Sequence, residues 1–436
     1  MSIRNDGLMN VINGLNTSRY DPARALTVGL TRFVTPQMAT TLYVDDGLFA
    51  KIINTPADDA TRNGFEVEGI DEQSEHKLKS IFEDLAGEQN FAKALSFSRL
   101  TGGSVVMPVF VDGSDKLTEP LNENSLQRVE EIRVYDSTEV IPLETEQDRN
   151  NINFGKTKTY IINDLSTGAY FEIHASRLLI FDGELIPNIV RSQRSGWGGM
   201  VLEKVFDALI DKYNKGNKYT VDIMERMAQG VMKIEGYANR LSSVDGNEHM
   251  IKYLNNIDMT RSILNTLAID KLDDFDFKNI PLTGIKDVLD KFQTALAGVT
   301  EIPVTLLFGR SPGGQNATGD SDFEQYYSFV SKIQSRQLKP NLSRFIYLLS
   351  KCRDYNVTLP EYWNIKFKPL KVASEKEEAE IEYIEAQTEE KKANTMAIYQ
   401  SVGALDGQEI RDEISEDYKL NRTMDYTGIS DDVEGE

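Results

Sequence analysis

The chain has 436 residues, and its 48 basic and 69 acidic side chains give a formal net charge of −21. That length exceeds the usual size of one hydrophobic core, so two or more lobes are expected. The acidic balance argues against ordinary DNA binding, whose affinity comes from lysine and arginine neutralising phosphates. One cysteine excludes an intramolecular disulfide, and no apolar run is long enough to span a membrane.

The first 40 residues are polar and mixed, with Pro22 and Pro36 as breakers. We expect this arm to be loosely ordered or to wrap a neighbouring subunit. Apolar residues in Thr41–Ile53 then predict a helix. The helix should end at Asn54-Thr55-Pro56, because a residue before proline avoids the helical region.

Helices and then short strands follow as far as residue 195. Apolar residues at helical spacing predict helices at Glu72–Leu85 and Asn90–Leu100, the second ending at Gly102 and Gly103. The predicted strands are Ser104–Val111, Val129–Val134, Glu139–Ile141, Thr157–Ile162, Ala169–His174 and Leu178–Phe181. Several short strands between polar turns indicate a strand-rich lobe.

The three histidines, His76, His174 and His249, lie far apart in the sequence. No histidine, cysteine and carboxylate cluster has the spacing of metal ligands. We therefore interpret His174, at the end of a strand, as a packed or hydrogen-bonded residue. Ser176 lacks the glycine pattern and the acid partner of a catalytic serine.

Two long helices flank a compact insertion. The first begins near Met200 and continues past a weak point at Gly216, and the second is Gly284–Leu296. The insertion has predicted strands at Val231–Glu235, Leu267–Asp270 and Phe275–Ile280 and a helix at Asn247–Leu264. Lys212, Lys215 and Lys218 lie on the first helix, and a solvated face is one interpretation of them.

A polar, glycine-rich loop occupies Gly309–Asp320. A phosphate-binding loop needs a lysine after its last glycine, and this one has none. The run Gly309 to Gly313 matches the G-x-S-x-G pattern of a nucleophile elbow around Ser311. However, Pro312 has no N–H for an oxyanion hole, and no histidine follows His249. The favoured interpretation is a mobile loop that bends sharply.

A long amphipathic helix begins near Ser321, and Pro340 should kink or restart it. A strand is predicted at Trp363–Leu370, followed by a glutamate-rich helix at Glu375–Met396. From residue 371 onward there are 19 acidic and 7 basic side chains. This acidity suits either a channel wall along which DNA slides or a solvated tail.

The run IPVTLLFGRSPGGQNATGDSDFEQYY (residues 302–327) resembles the late core of tailed-bacteriophage portal proteins. It is most similar to a subfamily with the pattern IP-x-T-x-L-x-G-x-SP-x-G-x-NATG-x-SD. The blocks SFSRLTGGSVV (96–106), HASRLLIFDGELIP (174–187) and GWGGMVLEKV (196–205) agree with the family in sequence and order. The resemblance covers roughly residues 10 to 420.

This resemblance implies an α+β portal fold with a β-rich wing, long stem helices, a small α/β clip and a helical crown. The expected ranges are 1–40 for an N-terminal arm, 41–195 for the wing, 196–230 for the first stem helix, 231–283 for the clip, 284–298 for the second stem helix, 299–320 for the tunnel-loop region, 321–370 for the spine helix and return to the wing, and 371–436 for an acidic helical crown and disordered tail.

The resemblance also implies a ring, typically of twelve subunits, at one capsid vertex of the virion. DNA would enter and leave through its channel, and the expected partners are the large terminase, head–tail connector proteins, and capsid and scaffold proteins. The implied tunnel-loop residues are Arg310, Ser311, Gly313, Gly314, Gln315, Asn316 and Asp320, the stem residues that could meet DNA are Lys212, Lys215 and Lys218, and the clip residues are Asp245, Asn247 and Glu248. No catalytic residue, cofactor or metal is expected. The alternatives are an enzyme that uses the 309–320 loop and an interaction scaffold without a channel.

Overall fold

The computed structural model describes residues 34–226 apart from 115, then 230–233, 274–277, 284–310 and 320–371, with Lys252, Asn255 and scattered positions between 383 and 398. The chain divides into two compact units, Met1–Leu370 and Lys371–Glu436. In the second unit the described positions between 383 and 398 are helical. None of the described helices is long and apolar enough to cross a membrane.

Helices and strands alternate irregularly in the first unit. The elements are α1 (Pro36–Asp45), α2 (Gly47–Thr61), β1 (Phe65–Glu68), α3 (Glu72–Asp84), α4 (Gly87–Thr101), β2 (Gly103–Val111), β3 (Arg128–Asp136), β4 (Val140–Thr145), β5 (Thr157–Asp164), β6 (Ala169–His174), β7 (Leu179–Asp182), α5 (Asn188–Ser192), α6 (Val201–Phe206), α7 (Lys215–Arg226), β8 (Gly230–Lys233), β9 (Asp274–Phe277), α8 (Ile285–Thr300), α9 (Val304–Phe308), α10 (Asp320–Ile333), α11 (Lys339–Lys351) and β10 (Asn364–Phe367). The fold is therefore mixed α and β, as the sequence predicted.

The strands form two three-stranded antiparallel sheets and two pairs. The sheet orders are β3-β2-β7 and β4-β5-β6, and the pairs are β1-β10 and β8-β9. All six strands predicted before residue 195 are present, within a few residues of the predicted bounds. The β1-β10 pair joins Phe65–Glu68 to Asn364–Phe367, so the chain returns to its beginning after the long helices.

Two hydrophobic clusters form the core. The larger one joins α1 to α4 with β2, α6, α10 and α11, and its centre holds edge-to-face and tilted rings of Phe82, Phe91, Phe181 and Phe345. The smaller cluster lies between the two sheets, around Trp197 and Tyr160. Val34 is 3% exposed within the larger cluster, so packed structure begins inside the range predicted for the arm.

Helix α2 shows that one prediction was wrong. Pro56 lies inside the helix, which continues to Thr61, whereas the sequence placed the end of a helix before it. Proline has no N–H for the carbonyl four residues earlier, here that of Ile52. The buried guanidinium of Arg99 replaces that donor: its Nη2 donates to the Ile52 carbonyl at 3.0 Å and its Nε to the Ile53 carbonyl at 3.1 Å.

Glycines let three segments cross closely where the sheets meet the first long helix. A Cβ on Gly183 would lie 2.4 Å from the carbonyl oxygen of Gly199 and 2.5 Å from that of Gly102. Only a residue without a side chain permits this approach. Ion pairs Arg191–Asp182, Arg194–Glu203 and Lys204–Glu184 cross the same junction. The segment between β7 and α6 is thus fixed to both of its neighbours.

The two long helices predicted around the insertion are present and pack on each other. The first runs from α6 through a π-helical turn, Asp207–Asn214, into α7, and the second is α8. Gly216 does not interrupt the helix. It faces Phe292 of α8, and a Cβ there would lie 2.8 Å from the ring. The residue predicted to weaken the first helix is therefore the point of close contact between the two.

The helix after the loop restarts near Pro340 as predicted. Helix α10 passes into a π-helical turn, Gln334–Leu338, and α11 begins with Pro340 in its first turn. A π-helical turn shifts the hydrogen-bond ladder by one residue, which accommodates a proline that cannot donate.

Replacing Arg99 with methionine tests its role as the donor for the carbonyls near Pro56. We expect Arg99→Met to lower the free energy of unfolding by about 3 kcal/mol, because buried carbonyl acceptors lose their partner. Arg62→Met is the matched control, since Arg62 is half exposed in an i,i+3 pair with Asp59, and it should cost under about 1 kcal/mol. Urea denaturation measures both.

Adding Pro56→Ala separates the carbonyl argument from simple loss of packing. Alanine restores an N–H that the Ile52 carbonyl can accept, so the cost of Arg99→Met should fall by about 1 kcal/mol in that background. An equal cost in both backgrounds would show that Arg99 acts only by filling space.

Candidate functional site

The glycine-rich loop leaves the described structure from a short helix. Helix α9 ends at Gly309, whose φ of +66° favours glycine. The next residue, Arg310, donates to the Asp290 carboxylate at 2.8 Å and to the Gln293 side-chain oxygen at 2.6 Å, both on α8. The guanidinium in turn lowers the pKa of Asp290. The first residue implied for the tunnel loop is thus bound to α8.

Lys51 of α2 holds the same end of the loop. Its Nζ donates to the carbonyls of Leu306 at 2.6 Å and Leu307 at 3.1 Å. These carbonyls belong to the last turn of α9, where no further helical N–H follows to bond them. A cation at a helix C-terminus also opposes the negative end of the helix dipole. Lys51 therefore caps the helix that leads into the loop.

The far end of the loop is bound to the same helix. The fully buried Tyr326 of α10 donates its hydroxyl to the Asp59 carboxylate. Burial and this hydrogen bond both raise the pKa of Tyr326, so the hydroxyl keeps its proton. About two turns later, the Gln334 amide donates to the Ala60 carbonyl at 3.0 Å.

Helix α2 thus carries contacts to both ends of the 309–320 loop. Its N-cap residue Asp46 also accepts a hydrogen bond from Asn214, in the π-helical turn before α7, at 2.8 Å. Sequence analysis missed these positioning residues, because each partner lies more than 160 residues away and no local pattern marks the pair.

The three lysines predicted to face DNA differ in their surroundings. Lys212 pairs with Asp207 at 2.7 Å, and Lys215 pairs with Asp211 one turn earlier. Lys218 is exposed and has no ion pair with a described residue. The cationic face expected on this helix is therefore largely neutralised by its own acidic residues.

Most of the other predicted site residues lie outside the described part of the chain. These are the loop residues Ser311, Gly313, Gly314, Gln315 and Asn316 and the clip residues Asp245, Asn247 and Glu248. Asp320 begins α10. Their roles in the tunnel loop and the clip therefore stay predictions.

His174 and Ser176 form a local turn. The Ser176 N–H donates to His174 Nδ1 at 3.1 Å, and the Leu121 N–H donates to Ser176 Oγ at 2.8 Å. Burial, and then the charges of Lys158 and Arg177, lower the pKa of His174. Over the described residues no group of histidine, cysteine, aspartate and glutamate could hold a metal ion.

The sequence matches a family model described as phage portal protein over residues 37–391. This chain belongs to the phage portal protein family. The match spans every element from α1 to β10 and extends into the second unit. The family is structural rather than catalytic, which agrees with the interpretation of the 309–320 loop as a structural feature.

Curated relatives share low sequence identity with this chain. An uncharacterized protein of Haemophilus influenzae (strain ATCC 51907 / DSM 11121 / KW20 / Rd) is 27% identical over 77% of this chain and 75% of its own length. Proteins named anti-CBASS protein Acb1, from Sphingomonas paeninsulae and Caulobacter sp. (strain RHG1), are 24% and 25% identical over 88% and 86% of this chain. The match covers 61% of the length of each of these two relatives.

Solved structures resemble the fold at low identity. A chain in the neck of an empty GTA particle, computed with C6 symmetry, has a TM-score of 0.49 at 12% identity, covering 79% of this chain and 88% of that one. An HK97 family phage portal protein from Corynebacterium diphtheriae has a TM-score of 0.39 at 10% identity, covering 77% and 95%. Membership of the family depends on the sequence match and not on these scores.

Lys51→Met tests the cap on α9. We expect it to lower the free energy of unfolding by about 1–3 kcal/mol, because two carbonyls lose a charged donor. Lys79→Met makes the same chemical change at an exposed i,i+4 pair with Glu75 and should cost about 0.5 kcal/mol or less. Equal losses in thermal or urea denaturation would contradict a special role for Lys51.

Proposed function

We propose that this chain assembles into a closed ring at one vertex of a phage capsid and that double-stranded DNA passes through the ring during packaging and ejection. The observation that carries this proposal is the portal family match over 37–391. The net charge of −21 also suits a channel, because tight phosphate contacts would hold the DNA in place.

The anchored loop supports the proposal in a second way. A loop that contacts moving DNA needs firm attachment at both ends. Here Lys51 binds the helix before the loop, and Arg310, at the start of the loop, binds α8. Asp59 and Ala60 bind the helix after the loop. Under this proposal, residues 311–319 project from these fixed ends into the channel.

The partners follow from the same proposal. The large terminase docks during packaging on the clip, which includes Asp245, Asn247 and Glu248, and head–tail connector proteins bind there afterwards. Capsid and scaffold proteins surround the ring, which has about twelve copies by analogy with the family. Lys218 is the stem lysine most available to phosphate, because Lys212 and Lys215 already pair with aspartates.

The name of the anti-CBASS relatives does not carry over to this chain. Nearly two fifths of each relative lies outside the match, so the shared part does not reveal where in those proteins the named property lies. The family match, by contrast, covers most of this chain.

Native mass spectrometry with negative-stain imaging of the purified protein tests ring formation. The expected result is a closed assembly of 49.2 kDa subunits with a central hole. A stable dimer at all concentrations would oppose the ring and favour the scaffold alternative, and a bound nucleotide would favour the enzyme.

Deleting Pro312–Thr318 tests the channel role of the loop. Because the anchoring contacts lie outside the deleted residues, rings should still assemble, whereas DNA packaging or retention should fall. Particle yield and encapsidated DNA measure the effect in a complementation assay. Normal packaging with intact rings would contradict a role for the loop on DNA. The deletion leaves Arg310 and its bonds to α8 in place, so the start of the loop stays anchored.

A further inference from the structure

The free edges of the two wing sheets are protected unequally. An open strand edge presents unpaired N–H and C=O groups to other chains, and proteins usually block such edges. On β3, the Tyr355 hydroxyl bonds both the N–H and the carbonyl of Val129. On β7, the Asn341 amide donates to the Ile180 carbonyl at 2.9 Å.

Strand β4 is protected by a proline and by irregular pairing. Pro142 lies within it, two register shifts interrupt its pairing with β5, and the Trp197 indole N–H donates to the Val140 carbonyl. Proline and irregular pairing both prevent a further strand from adding. Of the four outer strands of these two sheets, three are therefore blocked.

Among the residues that the structure describes, strand β6 has none of these protections. Its pairing with β5 is regular over all six residues, from Ala169 to His174. Its only bond to a described residue on the outer side is at one end, where the His174 N–H donates to the Leu117 carbonyl. Because the pattern of a strand repeats every two residues, the backbone groups of Glu172 and Tyr170 point the same way, toward the open edge.

Two exposed apolar side chains lie on the sheet face beside this edge. Tyr170 is 68% exposed and Ile141 is 47% exposed. The register places Ile141, Ile161 and Glu172 side by side across the three strands, so their side chains share one face with Tyr170. A strand added to β6 would cover Tyr170 and extend this face.

The chain itself contains a segment that fits such an edge. In the sequence of the first 33 residues, Leu26, Val28 and Leu30 alternate with Thr27, Gly29 and Thr31, the two-residue period of a strand with one apolar face. These 33 residues have four arginines and two aspartates, so this segment is positively charged, whereas the whole chain has a net charge of −21. Arg24 and Arg32 flank the alternating segment and are complementary to Glu172.

From these observations we infer that residues 26–32 of one copy add as a strand to the β6 edge of a neighbouring copy. Main-chain hydrogen bonds provide affinity, and the alternating side chains set the register, as in strand addition to an exposed sheet edge. Each copy has one arm and one edge, so the exchange is head-to-tail and is compatible with a closed ring. The inference rests on the proposed ring and names one contact within it.

Paired cysteines test the contact directly. The native Cys352 is buried, and burial raises its pKa to about 12, so it stays unreactive at pH 8. Leu26→Cys, Val28→Cys or Leu30→Cys is co-expressed, in a separately tagged copy, with Tyr170→Cys. At least one combination should give a disulfide-linked pair of two 49.2 kDa chains. Leu8→Cys, elsewhere in the arm, is the control and should give none.

The outcomes separate this contact from the ring. Rings with no cross-link in any of the three combinations would overturn the inference and leave the proposed function intact. A cross-link that forms only within one chain, when both cysteines are in the same copy, would also overturn it. If neither rings nor cross-links form, both the contact and the proposed function are wrong.

A proline in the arm provides a second readout that needs no cysteine. Val28→Pro removes a backbone donor and opposes strand pairing, so rings should dissociate at a lower urea concentration than the wild type. Asn10→Pro places the same change outside the alternating segment and should leave the midpoint unchanged. Identical midpoints for all three proteins would contradict the strand contact.

Discussion

The arrangement around the 309–320 loop depends on one buried cation. Pro56 leaves the Ile52 carbonyl of α2 without its helical donor, and Arg99 of α4 supplies the hydrogen bonds from a position that is 4% exposed. Burial lowers the pKa of the guanidinium, yet arginine remains charged in proteins. The same guanidinium lies 5.8 Å from the centre of the Phe329 ring on α10. One side chain therefore connects α2, α4 and the helix after the loop.

Helix α2 consequently continues past a residue that normally ends helices, and the continuation supplies contacts to α10. Asp59 and Ala60, which bind Tyr326 and Gln334, lie after Pro56, whereas Lys51, which caps α9, lies before it. A helix that stopped before Pro56 would hold only one end of the loop. In a portal ring, this common support would keep the two ends of each loop at a constant separation while the DNA moves.

The two three-stranded sheets show a different use of backbone hydrogen bonds. Tyr355, Asn341 and the Pro142 region block three strand edges, whereas in the described part of the chain the β6 edge stays open beside exposed apolar side chains. Such an edge is a hazard in an isolated subunit, because it can pair with any extended chain. In an assembly of identical subunits the same edge can serve as a specific contact.

The sequence by itself determined the family, the order of the elements and most of their bounds, because periodicity and turn residues are local signals. All six strands before residue 195 and both long helices followed from them. The sequence could not reveal that Pro56 stays helical, since the donor that permits it lies 43 residues later in α4. It also interpreted Gly216 as a weak point, whereas the ring of Phe292 makes it a contact. The anchors of the loop, Lys51, Asp59 and Ala60, were decided only by the tertiary structure, because each bonds a residue more than 250 positions away.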